Sequence, residues 1–123
     1  MGVFYVACEL VNVRRPSKSG RVAKMLVDSG SEFSRIPETT LRRMDVPPAK
    51  KGQVFVMANG RTITRSTGYV ILRVGEFETV DEVVFGEPGD LTILGSRTLE
   101  GFGAVVDARR KRLVAAGPYL AAP

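Results

Sequence analysis

Asp28 stands at the end of the continuously apolar run Met25-Leu26-Val27 and is followed by Ser29-Gly30-Ser31. A carboxylate in that position is expensive to bury unless hydrogen bonds satisfy it. Gly30 frees the backbone for a tight loop and for close approach of another chain, and Ser29 offers a hydroxyl able to tie that loop to a neighbour. A carboxylate so held can act as a general base on water. On its own, however, Asp-Ser-Gly is also an ordinary composition for a strand that ends in a turn.

The 123-residue chain contains no histidine. That excludes Ser-His-Asp and Cys-His nucleophilic mechanisms, the common zinc sites and the usual general base. Catalysis would have to use carboxylates, Lys, Tyr, Ser or the one cysteine, Cys8. Cys8 closes the apolar run from Val3, where a buried, inert thiol is expected. A single cysteine makes no internal disulfide and suits a reducing compartment, so the expected location is cytoplasmic. The apolar runs are far shorter than a bilayer span. Residues 3–8 lack the flanks of a signal peptide, and Gly2 lacks the Ser or Thr at position 6 that myristoylation favours. No membrane association is expected.

The net charge of +5 raises the question of nucleic acid. The densest basic run, Arg109-Arg110-Lys111-Arg112, lies between Gly103-Ala104-Val105-Val106 and Leu113-Val114-Ala115-Ala116, as a solvated hairpin turn would. No aromatic residue interleaves with it as a stacking platform, so no nucleic-acid partner is expected.

The elements that must position Asp28 are short strands separated by turn signals, which predicts a mostly β fold, a barrel or a sandwich. Strands are expected at Val3–Val13, Val22–Val27, Gln53–Ala58, Arg61–Ser66, Tyr69–Val74, Phe77–Phe85 and Leu91–Leu94, with a terminal hairpin around the basic run. Pro37–Met44 reads as a short helix with Leu41 and Met44 on one face, and Ser96–Glu100 as a helical turn. Asn59-Gly60 predicts a tight two-residue hairpin with positive φ twice. The chain length fits one domain over residues 1–123.

Taken together, several segments carry a family likeness. They are Leu26-Val27-Asp28-Ser29-Gly30-Ser31, Ile36-Pro37, the hairpin Val56-Met57-Ala58-Asn59-Gly60-Arg61, Ile93-Leu94-Gly95-Ser96-Arg97-Thr98-Leu99-Glu100, and Val105-Val106-Asp107 with Arg112-Leu113. In this order and spacing the chain resembles the retropepsins, the single-lobed aspartic peptidases typified by retroviral protease, and most of all their small bacterial relatives. The resemblance implies a closed retropepsin-like barrel with one or two short helices, acting as a two-fold homodimer. Asp28, Ser29 and Gly30 would form the catalytic loop, with Ser29 bonding across the axis. Ala58, Asn59, Gly60 and Arg61 would form a flap over a bound peptide, and Ile93-Leu94-Gly95 a strand behind the loop. Ser29 and Ser31 replace the commoner Thr and Ala. Ser96-Arg97 stands where retroviral members have Arg followed by Asn or Asp, an Arg that there pairs with an acid matched here by Glu32.

A homodimer would supply the second carboxylate that one Asp-Ser-Gly lacks. Two carboxylates about 3 Å apart cannot both ionise and share one proton. One would then act as general base on a water while the other polarises the scissile carbonyl of a peptide or protein substrate, with no metal and no cofactor. The alternative is a catalytically silent retropepsin-like module that binds peptides or dimerises, since fold alone does not fix activity.

Overall fold

A computed structural model describes residues 3–123; the reading at Gly2 lies outside the described residues. The chain runs through β1 (Tyr5–Val11), β2 (Ser19–Val27), β3 (Arg35–Pro37), α1 (Glu38–Arg43), β4 (Lys50–Val56), β5 (Thr62–Val74), β6 (Phe77–Gly86), β7 (Ile93–Leu94), α2 (Ser96–Phe102), β8 (Ala104–Asp107) and β9 (Arg112–Ala115). The mostly β expectation with two short helices therefore holds. Seven strands form one sheet in the order β1-β2-β7-β3-β6-β5-β4, and β1 pairs a second time, with β5, over Glu9–Val11. β8 and β9 form a separate two-stranded sheet.

Strand alternation sets the core. Cys8 and Leu10 of β1, Met25 of β2, Ile36 of β3 and Val70 and Leu72 of β5 are fully buried, while Glu9, Tyr69 and Arg73 beside them face solvent. β6 departs from alternation: Glu82–Gly86 are all buried. Both of its neighbours in the sheet and helix α2 cover it, and Phe77 stacks on Phe102 of α2 with ring centroids 5.9 Å apart. Burial raises the Cys8 thiol to about 12, so the inert reading of that residue agrees with its surroundings. No helix among the described residues is long and apolar enough to cross a membrane.

Two local expectations change. Arg61–Ser66 and Tyr69–Val74 are one continuous strand, because Thr67 and Gly68 keep the ladder with Val84 and Val83 and so do not break it. The Asn59-Gly60 tip is wider than two residues. Gly60 N–H donates to Met57 O at 2.9 Å and Met57 N–H donates to Arg61 O at 2.7 Å. Only Gly60 has positive φ, at 84°. This is a three-residue loop closed by a glycine bulge, with Asn59 Oδ1 accepting the Arg61 N–H instead of adopting positive φ itself. The short helix expected over Pro37–Met44 is present as α1, capped by Pro37 and Met44, and Asp45 turns away just beyond it at φ 59°. The basic run does form the turn between β8 and β9, with Asp107 Oδ1 accepting the Arg110 N–H.

One half-buried ion pair ties β5 to the loop before β7. Arg65 engages Asp90 through Nε and Nη2, both at 2.8 Å, and the Glu87 N–H donates to the same carboxylate. The Arg65 guanidinium holds the Asp90 carboxyl below its ordinary range. The Glu82 carboxyl is likewise lowered, first by the Thr67 hydroxyl and then by Lys50. A carboxyl lowered in the folded state contributes stability above its unfolded value and loses that contribution as pH falls through the folded value. The urea midpoint is therefore expected to be flat from pH 7 to about 5 and to drop below about pH 4. Asp90→Asn is expected to flatten part of that drop. An Asp90→Asn midpoint that tracks wild type at every pH, offset by a constant, would show the pair is not the cause.

Candidate active site

β2 and β7 run parallel, with Leu26 opposite Ile93 and Val27 opposite Leu94. The ladder continues one step beyond β2, where the Asp28 N–H donates to Leu94 O at 3.0 Å. The chain then turns sharply, with the Ser31 N–H returning to Asp28 O at 3.1 Å. The Asp28 backbone is thus fixed from both sides, and its half-buried side chain sits at the mouth of the loop.

The carboxylate is satisfied by its own loop. Oδ1 accepts the Gly30 N–H at 3.0 Å and Oδ2 accepts the Ser31 hydroxyl at 2.9 Å. Each oxygen can accept more than one hydrogen bond, so both keep capacity for a water or a second carboxylic acid. Ser29 and Gly30 are exposed at the tip, and no hydrogen bond engages the Ser29 side chain among the described residues. Ser31, which sequence reading treats as a mild replacement, proves to be a direct partner of Asp28. Its three-residue offset within a turn was the available signal.

Behind the loop lies the junction of β7 and α2. The Ser96 N–H donates to Ser31 O at 2.7 Å and the Arg97 N–H to Glu32 O at 3.0 Å. A buried relay runs beside it, from the Gly95 N–H to Ser34 Oγ (2.9 Å), Ser34 Oγ to Thr98 Oγ1 (2.5 Å) and Thr98 Oγ1 to Asp81 Oδ2 (2.7 Å). Because Thr98 donates to the carboxylate, Ser34 is the donor to Thr98 and is left free to accept from Gly95. Sequence reading missed Ser34, Thr98 and Asp81, which stand 17 to 64 residues apart and share no spacing rule.

Arg97 forms no ion pair with Glu32 among the described residues. Its guanidinium lies over the Phe33 ring, 4.4 Å from the centroid. Phe33 in turn meets Phe55 of β4 edge to face at 5.3 Å. Two residues further along each segment, Arg35 Nη2 reaches Met57 Sδ at 3.8 Å. The hairpin arm therefore lies across the segment that leaves the Asp28 loop. Its tip, Ala58, Asn59, Gly60 and Arg61, is exposed, and no hydrogen bond joins those residues to residues 28–31 among the described residues. Two concavities of the single chain, about 220 and 550 Å³, are lined from residues 37–39 with 86–92 and from β1 with β2; Asp28 lines neither.

A loop that presents one oriented carboxylate to solvent, with a hairpin arm across the adjacent strand, can polarise water but supplies only one of the two carboxyl groups that acid–base hydrolysis of an amide uses. No curated protein sequence matches the chain. A family model described as "gag-polyprotein putative aspartyl protease" matches residues 17–101, well over half of the chain, and takes in the Asp28 loop, the hairpin and the β7–α2 junction. The chain belongs to the retropepsin-like aspartyl protease family.

Proposed function

We propose that this chain is one half of a homodimeric aspartic endopeptidase, a single domain over residues 1–123 whose two Asp28 side chains meet across a two-fold axis. The observation that carries the reading is the state of the Asp28 loop. Its carboxylate is oriented by Gly30 and Ser31, while Ser29 is exposed with its hydroxyl unengaged within the chain. A second copy approaching that tip would give Ser29 a partner and Asp28 its opposite number. The second pairing of β1 with β5 supports a barrel that closes on itself, and the single buried, unpaired Cys8 fits a reducing, cytoplasmic setting.

In the dimer the two carboxyls hold one proton between them. The ionised Asp28 takes a proton from a water as its oxygen bonds to the scissile carbonyl carbon. The protonated partner gives its proton to the carbonyl oxygen. Collapse of the tetrahedral adduct breaks the C–N bond: the amine nitrogen takes the proton now on Asp28, and one hydroxyl of the adduct returns its proton to the ionised partner as the carbonyl reforms, so the pair again holds one proton. Gly30 N–H and Ser31 O–H stay on Asp28 throughout and hold its oxygens in place. Residues 58–61 act as the flap.

The flap packs little core: Val54 and Val56 on its arm are 65% and 74% exposed. It is thus drawn from the weakly protected part of the fold. Cleavage of a fluorogenic peptide library is expected to rise more than proportionally with chain concentration, in step with the dimer fraction by sedimentation. A statine-type inhibitor is expected to slow amide hydrogen exchange at residues 57–62. Cleavage strictly proportional to chain concentration while the protein sediments as a monomer would sink the dimer. A dimer that binds the peptide and never cuts it would favour the silent module.

A further inference from the structure

We infer that Arg35 makes this site selective for peptides carrying an acidic side chain close to the scissile bond; the inference rests on the peptidase reading and names its substrate class. Ile36 of β3 points into the core and is fully buried, so alternation places Arg35 on the opposite face of the strand. The side chain has a seat. A Cβ on Gly86 would lie 3.2 Å from Arg35 Cγ and 3.5 Å from Cδ, so the missing side chain of Gly86 is the slot in which the arginine stem lies. From there the guanidinium bridges two segments, with Nη1 3.4 Å from Leu91 O and Nη2 3.8 Å from Met57 Sδ.

Both of those contacts are weak, and a guanidinium has five donors. No carboxylate comes within 4.0 Å of Arg35 among the described residues. The acid nearest by sequence to Leu91 is already committed: Asp90 is held by Arg65 through two 2.8 Å bonds and by the Glu87 N–H. Arg65 thus shows what a paired arginine looks like here; Arg35 is a half-buried cation that makes no ion pair among the described residues and feels Asp90, already bound by Arg65, only at longer range. Its location supplies the missing anion's address. Arg35 lies opposite Ile93, which lies opposite Leu26, two residues before Asp28. Two strand spacings amount to about 10 Å, which an extended peptide covers in about three residues. The Met57 contact puts the same guanidinium beneath the hairpin arm. A peptide lying between the Asp28 loop and the arm would pass the guanidinium, and a Glu or Asp side chain there could take a bidentate pair.

The test uses C-terminally amidated fluorogenic peptides that differ only by Glu or Gln at each of three positions on either side of the cleaved bond. The assay is run at pH 6, where glutamate is ionised. The homodimer is expected to favour Glu over Gln at one of these positions by about tenfold to a hundredfold in kcat/KM, the worth of a charge-assisted hydrogen bond. The ratio is expected to shrink with added salt. It should fall to about one in Arg35→Gln, be partly kept in Arg35→Lys, and drop below one in Arg35→Glu. A merely structural role for Arg35 would lower all peptides together and leave the ratio unchanged. The same peptides are titrated by fluorescence polarisation against Asp28→Asn, with and without Arg35→Gln, so that recognition is read without cleavage. Arg35-dependent binding of Glu peptides without any cleavage by wild type would overturn the peptidase reading and uphold acidic recognition. Cleavage with equal Glu and Gln rates at every position, or a Glu preference that survives Arg35→Gln, would overturn the role of Arg35 alone. Neither binding nor cleavage of any Glu peptide would overturn it as well.

Discussion

Asp28→Asn is expected to remove peptide hydrolysis, by at least about 10²–10⁴-fold, the usual contribution of a positioned acid or base. The fold should survive the change. The asparagine oxygen can still accept the Gly30 N–H that now reaches Oδ1, and the Ser31 hydroxyl, which now donates to Oδ2, can turn to accept from the new amide. What is lost is the ability to take a proton from water. The sharper measurement is a mixing experiment. If each site needs one Asp28 from each chain, adding excess Asp28→Asn chain to a fixed amount of wild type converts active pairs into mixed ones. Turnover should then fall toward zero as the mutant is titrated in. A site complete within one chain predicts turnover indifferent to the added mutant, and that result would falsify the shared dyad.

The strands and the Asp28 loop were legible because they rest on local signals: apolar runs, β-branched enrichment and turn residues at their ends. Asp28, Ser29 and Gly30 lie together on one loop for the simple reason that they are adjacent in sequence. What could not be read depends on what the chain meets after folding. Gly68 looks like a strand break, yet β6 pairs straight past it, with Gly68 opposite Val83, and keeps β5 whole. Asn59 can adopt positive φ, but its side chain instead bonds the Arg61 N–H and leaves that conformation to Gly60 alone. Arg97 suggests an ion pair with Glu32 by family likeness. Its guanidinium instead lies over the Phe33 face, and a stacked cation needs no buried acid. The relay through Ser34, Thr98 and Asp81 joins three separate elements, and each residue alone reads as an ordinary polar position in a β-rich chain.

Gly95→Ala is expected to damage both stability and activity, and the reason is space rather than backbone conformation. Gly95 has φ −96° and ψ 178°, which any residue adopts. A methyl group there, however, would stand 2.6 Å from Phe33 O, 2.7 Å from Phe33 C and 2.9 Å from Ser31 O. All three are backbone atoms of the segment that follows Asp28, so no rotamer change relieves the clash. Either β7 or the loop has to move, and overpacking of this kind costs about 1–3 kcal/mol, occasionally more. Movement would also loosen the bonds that fix the loop, from the Gly95 N–H to Ser34 and from the Ser96 N–H to Ser31 O. A Tm lower by about 5–15 °C is expected for a chain of this size. Displacing the Asp28 loop by about 1 Å would lower kcat by about 10²-fold even well below that Tm. Ser34→Ala separates the two effects, because it removes the acceptor for the Gly95 N–H without adding bulk. It should lose stability by about 1–3 kcal/mol for the stranded buried group and keep more activity than Gly95→Ala. Hydrogen exchange at the Ser96 and Arg97 amides, which donate to Ser31 O and Glu32 O, reports whether the loop has lifted. Unchanged protection there, with full turnover in Gly95→Ala, would mean the contact between β7 and the Asp28 loop does not position the carboxylate.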